Sequence, residues 1–138
     1  MREPVRATGH ANVSATHEST FEVTTDDYLT PAGDCILGIE ADRAPADFDP
    51  AFIDACQASE TRIEATLAVG AVSMSVIGRG HEALTFASDR SLVGRTSDYV
   101  DDRTVMVQAN AAAADLPRDL VDQLASGEPL RLELQVDD

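Results

Sequence analysis

The chain repeats itself, and that limits its fold more than any single motif does. Laying residue 9 on residue 80 matches Gly9-His10 with Gly80-His81 and Asp27-Tyr28 with Asp98-Tyr99. Phe21 then falls on Leu92 and Thr25 on Thr96. A three-residue deletion in the second copy continues the match, from Ile36-Leu37-Gly38-Ile39 on Thr104-Val105-Met106-Val107 to Arg62-Ile63-Glu64 on Arg131-Leu132-Glu133. Chance likeness in an Ala- and Asp-rich chain is the competing account. The ordered run of matches favours two copies of one unit, 5–69 and 74–136, inside a single domain spanning 1–138. Repeats this long are halves of one fold, since a solenoid needs three or more units.

Each half reads alike. A strand at 5–8 or 74–79 leads into Gly-His, and a second follows at 16–24 or 90–96. Thr20, Glu22 and Thr24 alternate there with Phe21 and Val23, the period of a half-buried strand. A hairpin turn with Pro31 and Gly33 separates it from a third strand at 35–41, matched by 104–109. That strand is apolar on both faces and is expected to be central. Asp49-Pro50 supplies a cap and a first-turn proline for a short helix. The second helix starts near Pro117 and stops at Gly127. Ile63, Ala65, Leu67 and Val69, and later Leu130, Leu132, Leu134 and Val136, give each half a last strand with one buried face. The expectation is a mainly β, internally duplicated antiparallel sandwich or barrel. It has about eight strands and two short helices, its two halves related by a pseudo-twofold axis.

The 138 residues carry 25 acidic and 10 basic side chains, a net charge of -15, and every basic residue is Arg. At molar salt the Debye length falls to roughly 3 Å, which screens repulsion within a carboxylate shell. The absence of Lys together with excess Asp therefore points to a salt-rich cytoplasm; an acidic protein aimed at a basic partner is the alternative. No apolar segment follows the N-terminus as in a signal peptide, and none is long enough for a membrane span. Cys35 and Cys56 are expected to be thiols. Nucleic-acid binding is disfavoured, because scattered arginines on an acidic chain make no basic footprint.

The stretch from Gly9 to Thr24, with Gly33-Asp34-Cys35-Ile36, Arg95-Thr96-Ser97-Asp98 and Arg103-Thr104, resembles an archaeal family known as domain of unknown function 371. The resemblance spans nearly the whole chain. It implies an archaeal source and a jelly-roll-like β fold with added helices, and it brings no catalytic residues with it. Family members tend to have Lys where this chain has Thr96.

The repeat also acts as an internal control, since residues kept in both halves serve the fold more often than those present in one. His10 and His81 are kept; a turn tied by hydrogen bonds and a shared ligand site on the axis are the two readings. Asn12, Thr16, His17 and Glu22 occur only in the first half, and Arg95 only in the second. His17 is the candidate acid-base group, with Glu22 to orient it. His10, Asn12, Arg95 and Arg103 are candidate ligand contacts, the arginines for a small anion that their planar fork grips through two oxygens. Arg95 and Arg103 pair with Asp98 or Asp34 in the plainer reading. His10, His17, Asp34 and Cys35 have the chemistry of a divalent-metal site, without the spacing of an established motif. Cys35 otherwise reads as a small buried hydrophobe. Two functions follow: a small-molecule-binding or enzymatic domain with its site between the halves, or a non-catalytic interaction module. The oligomeric state is open.

Overall fold

A computed structural model describes residues 1–137. The described residues fold into eight strands, two short α-helices and two single 3-10 turns. In order these are β1 (Arg2–Thr8), β2 (Thr20–Thr24), β3 (Ile36–Gly38), a 3-10 turn at Pro45–Asp47, α1 (Pro50–Cys56) and β4 (Arg62–Val69). The second half runs β5 (Val72–Arg79), β6 (Ser91–Arg95), β7 (Thr104–Met106), a 3-10 turn at Ala113–Asp115, α2 (Arg118–Ala125) and β8 (Pro129–Gln135). The second half thus passes through the same elements as the first, in the same order.

Sheet one has the strand order β1-β8-β4-β5, antiparallel throughout. Its alternation is the one written in the sequence: Ile63, Ala65, Leu67, Val69, Leu130, Leu132, Leu134 and Val136 are all buried. Gly70, at φ 56°, turns β4 into β5, with Val69 opposite Val72. Asp49 caps α1 by accepting from the Ala51 N–H at 2.8 Å. Phe48, Phe52 and Phe86 meet at centroid distances of 5.9–6.2 Å, joining α1 to the second half.

Sheet two has the order β3-β2-β6-β7. Its middle pair, β2 and β6, is antiparallel, with Phe21 opposite Gly94 and Glu22 opposite Val93. The outer pairs are parallel, β3 beside β2 and β7 beside β6. The third strand of each half is therefore not the far arm of a hairpin, because residues 25–35 carry the chain back along β2 before β3 begins. It is also an edge strand and not a central one. It is apolar on both faces because that edge abuts sheet one: a side chain at Gly38 would meet Ala7 at 3.0 Å and Leu130 at 3.1 Å. Single bridges, Thr8 with Ile39 and Arg79 with Val107, join the edges of the two sheets.

The two halves share backbone detail as well. Ala15 and Phe86 lie at φ 49° and 52°, and Glu40 and Gln108 at 55° and 52°. These are left-handed conformations that non-glycine residues seldom adopt, and here they recur at matched positions. Gly9 and Gly80 each press against the helix of the opposite half: a Cβ there would strike the Leu124 carbonyl or the Cys56 carbonyl.

Candidate functional site

The outer face of sheet two gathers most of the candidate residues. Alternation along β2 places Thr20, Glu22 and Thr24 away from the core, beside Arg95, Val93 and Ser91 of β6. The sequence leads one to expect this face to be open, yet it is largely covered. Thr24, Ser91, Val93 and Thr104 are buried on it, and the 25–35 loop brings Leu29 and Gly33 across it. What stays open is a pocket of about 220 Å³ with Glu22 in it, lined also by Asp26, Tyr28, Ile36, Arg90 and Arg103. Both halves contribute to its wall.

A polar chain crosses this face. His17 Nδ1 accepts from the Thr20 hydroxyl at 3.1 Å and from the Thr20 and Ser19 N–H groups at 3.1 and 3.2 Å. Cys35 Sγ donates to Glu22 Oε1 at 3.5 Å. The other oxygen of Glu22 lies 3.9 Å from Arg103 NH1, an ion pair too long for a hydrogen bond. Arg103 is held from behind, its Nε and NH2 donating to Asp101 Oδ2 at 3.4 and 3.0 Å. The same oxygen accepts from Arg95 NH2 at 2.9 Å. Arg95 in turn donates from Nε to the Thr104 hydroxyl at 2.9 Å and lies 4.8 Å over the Tyr99 ring. The arginines do pair with a carboxylate, but with Asp101 and not with Asp98 or Asp34.

The electrostatics follow from these contacts. Burial pushes the Asp101 carboxyl up, but hydrogen bonds from Arg103 and Thr104 and the charge of Arg95 outweigh it and hold the pKa at about 2. Burial pushes the Cys35 thiol up, and the charge of Glu22 pushes it further, to about 11. At neutral pH Cys35 is therefore a thiol and a poor nucleophile.

The remaining candidates stand differently. Asp34 contributes its backbone carbonyl, which accepts from the Thr16 and His17 N–H groups at 3.0 and 3.2 Å. His10 Nδ1 accepts from the Asn12 N–H at 2.9 Å, and His81 Nδ1 accepts from the Ala83 N–H at the same distance. Both Gly-His pairs thus tie turns. Asn12 donates from Nδ2 to the Leu29 carbonyl at 2.8 Å, anchoring the loop that roofs the pocket. Among the described residues no three His, Cys, Asp or Glu side chains stand together as a metal-holding group. His17 and Glu22 are not hydrogen-bonded to each other: His17 is turned to the start of β2, and Glu22 to Cys35 and Arg103.

Sequence reasoning missed Asp101, the hub of the arginine network, and the pair Asp26–Arg90, joined by bonds of 2.8–3.2 Å. It also missed the tyrosines. Tyr28 and Tyr99 are 56% and 58% exposed. They belong to the Asp-Tyr pair kept in both halves, and persistence of an aromatic in a polar turn was the available signal. No described helix is long and apolar enough to cross a membrane.

Comparison with known proteins agrees with the resemblance carried by the Gly9–Thr24 stretch. An uncharacterized protein of Methanocaldococcus jannaschii is 39% identical over 132 residues, covering 96% of this chain and 97% of the relative. Residues 5–137 match the family described as Domain of unknown function (DUF371). A match over nearly the full length, with a relative this similar, makes the chain a member of that family.

Proposed function

We propose that this protein binds a small anionic molecule in the pocket between its two halves, with Arg103 as the anchoring residue. One observation carries the reading. Asp101 fixes Arg103 through Nε and NH2, while NH1 makes no hydrogen bond to any described residue and faces the pocket beside Glu22. A guanidinium oriented in advance loses little entropy on gripping a carboxylate or phosphate oxygen. Glu22 sets the specificity: with its carboxylate close by, the pocket favours a ligand that carries a donor next to its acid group. At about 220 Å³ the pocket is smaller than most ligand clefts and has room only for a small carboxylate or phosphate.

Binding is favoured over catalysis. The Cys35 thiol stays protonated, and Nδ1 of His17 is occupied by the chain itself. A divalent metal is not needed for this reading. The excess of Asp over Arg and the absence of Lys support work at high salt. The repeated element order and paired left-handed residues support descent of the two halves from one unit.

The test is a thermal-shift and calorimetric screen of small carboxylates, amino acids and phosphates in molar KCl. A hit should stabilise the parent protein by several degrees and lose its effect in Arg103→Gln. Were every hit, carboxylates and amino acids included, to bind Arg103→Gln as tightly as the parent, the assignment would sink, and so it would with a screen that yields no saturable ligand.

A second reading rests on Tyr28 and Tyr99, two exposed aromatics on loops of this face. Tyrosines in such positions are common anchors of protein interfaces, so the face also suits a protein partner. Tyr99→Ala, which lies outside the pocket wall, would then weaken association and leave small-ligand binding intact.

A further inference from the structure

The arginines of this acidic chain are not spread evenly. Five of the ten, Arg2, Arg6, Arg62, Arg79 and Arg131, point outward from sheet one, where Glu64 and Glu133 are the facing carboxylates. Strand register sets them against each other: Arg6 lies directly opposite Arg131, and Arg62 opposite Arg79. Like charges opposite one another on antiparallel strands destabilise a sheet, because their Cβ atoms are only ~5 Å apart. In a chain with 25 acidic residues each of these arginines had carboxylates to pair with. Arg2 has one, Glu133 at 3.5 Å, and Arg79 reaches the Glu60 carbonyl at 3.4 Å. Arg6, Arg62 and Arg131 are exposed, and their guanidinium groups have neither an ion pair nor a hydrogen bond among the described residues; of these, only Arg6 and Arg131 lie opposite each other.

This pair also stands in a concave place. On one side is a groove of about 330 Å³ lined by Pro4, Arg6, Thr66, Ala68, Arg131 and Glu133. On the other is a hollow of about 230 Å³ between Arg6, Ala7, Pro129 and Arg131. Glu133 is drawn toward Arg2, which lessens its repulsion of an anion, and the nearby Asp42 carboxylate accepts from the Arg6 backbone N–H at 2.9 Å.

We infer that Arg6 and Arg131 form a second binding site, for the phosphate group of a small phosphomonoester, on the outer face of sheet one. Two unpaired guanidiniums side by side match a dianion, whereas a lone carboxylate would leave one of them uncompensated. The small side chains of Thr66 and Ala68 and the ring of Pro4 leave room for an organic part beside the phosphate. A polynucleotide fits less well: the net charge of -15 repels it, and the face carries no aromatic side chain on which bases could stack. The arginine pair, unmatched by any carboxylate, thus acquires a purpose.

Calorimetric titration with inorganic phosphate and with ribose 5-phosphate, at fixed ionic strength in chloride, tests the site. Saturable binding should weaken by roughly tenfold or more in Arg6→Gln and in Arg131→Gln, and persist in Arg103→Gln. Tighter binding of the ester than of phosphate would place the organic part in the groove; equal binding would mean that the phosphate alone is read. Either keeps the site. Loss only in Arg103→Gln would move the anion to the pocket on sheet two and overturn this inference, and the absence of saturable binding would do the same. A melting measurement separates ligand binding from a structural role. Without phosphate, Arg131→Gln should melt no lower than the parent, since it relieves a repulsion. A marked fall would show that the arginine braces the fold and remove the argument for a ligand.

Discussion

Asp101 carries more of the local architecture than any other side chain on the sheet-two face. Two guanidiniums and the Thr104 hydroxyl all donate to it, and Arg95 is nearly buried, its side chain 12% exposed. Asp101→Ala leaves Arg95 without its carboxylate and should cost about 2 kcal/mol in chemical denaturation. The pH dependence has a definite sign. The folded pKa of about 2 lies below the ordinary carboxylate value, so this stabilisation is complete above about pH 4 and is lost as pH falls toward 2. The stability gap between the parent and Asp101→Asn should close over that interval. Cys35 runs the other way. Its thiol is held at about 11, so as pH rises past about 9 the unfolded chain ionises first and the fold weakens. Removing the Glu22 charge in Glu22→Gln should lower that pKa and raise the rate of thiol modification at about pH 9 several-fold; an unchanged rate would show that burial alone protects the sulfur.

At the scale of elements, each half clamps its Gly-His turn against the helix of the other half. Gly9 sits against the last turn of α2, and Gly80 against the end of α1. Any side chain would strike backbone there, which cannot swing aside. Gly9→Ala and Gly80→Ala should therefore each destabilise by about 2–3 kcal/mol, with similar effects because the contacts are alike; a large inequality would argue against equivalent roles. Arg118 makes a comparable clamp at the start of α2, donating to the Ala15, Ala113, Ala114 and Leu116 carbonyls at 2.9–3.2 Å. It ties the left-handed Ala15 to the second half.

For the whole molecule, charge is the governing quantity. A net charge of -15 on 138 residues makes the compact state repel itself at low ionic strength. Raising KCl from 0.1 M to 2 M should raise the melting temperature by several degrees, as screening shrinks to a few ångströms. A midpoint independent of salt would count against adaptation to a salt-rich compartment. The outer face of sheet one carries five of the ten arginines, at opposite ends of its strands with Glu64 and Glu133 between them.

The alternation in β4 and β8, the Asp49-Pro50 helix start and the matched Gly-His and Asp-Tyr pairs were legible because each depends on residues close in sequence. Strand periodicity is a local property of the chain, and so is capping. The turns tied by His10 and His81 were within reach for the same reason, since acceptor and donor lie two residues apart. The parallel pairing of β3 with β2 was not, because apolarity reports burial and not the direction of a neighbouring strand. Nor was the partner of Arg95 and Arg103: several aspartates were available by sequence, and only the path of the 96–103 loop selected Asp101. The pairing of Arg6 with Arg131 lies further still from local rules. It exists because the first and last strands of the chain lie side by side, and tertiary structure alone decides which of the few cations on an acidic chain face each other.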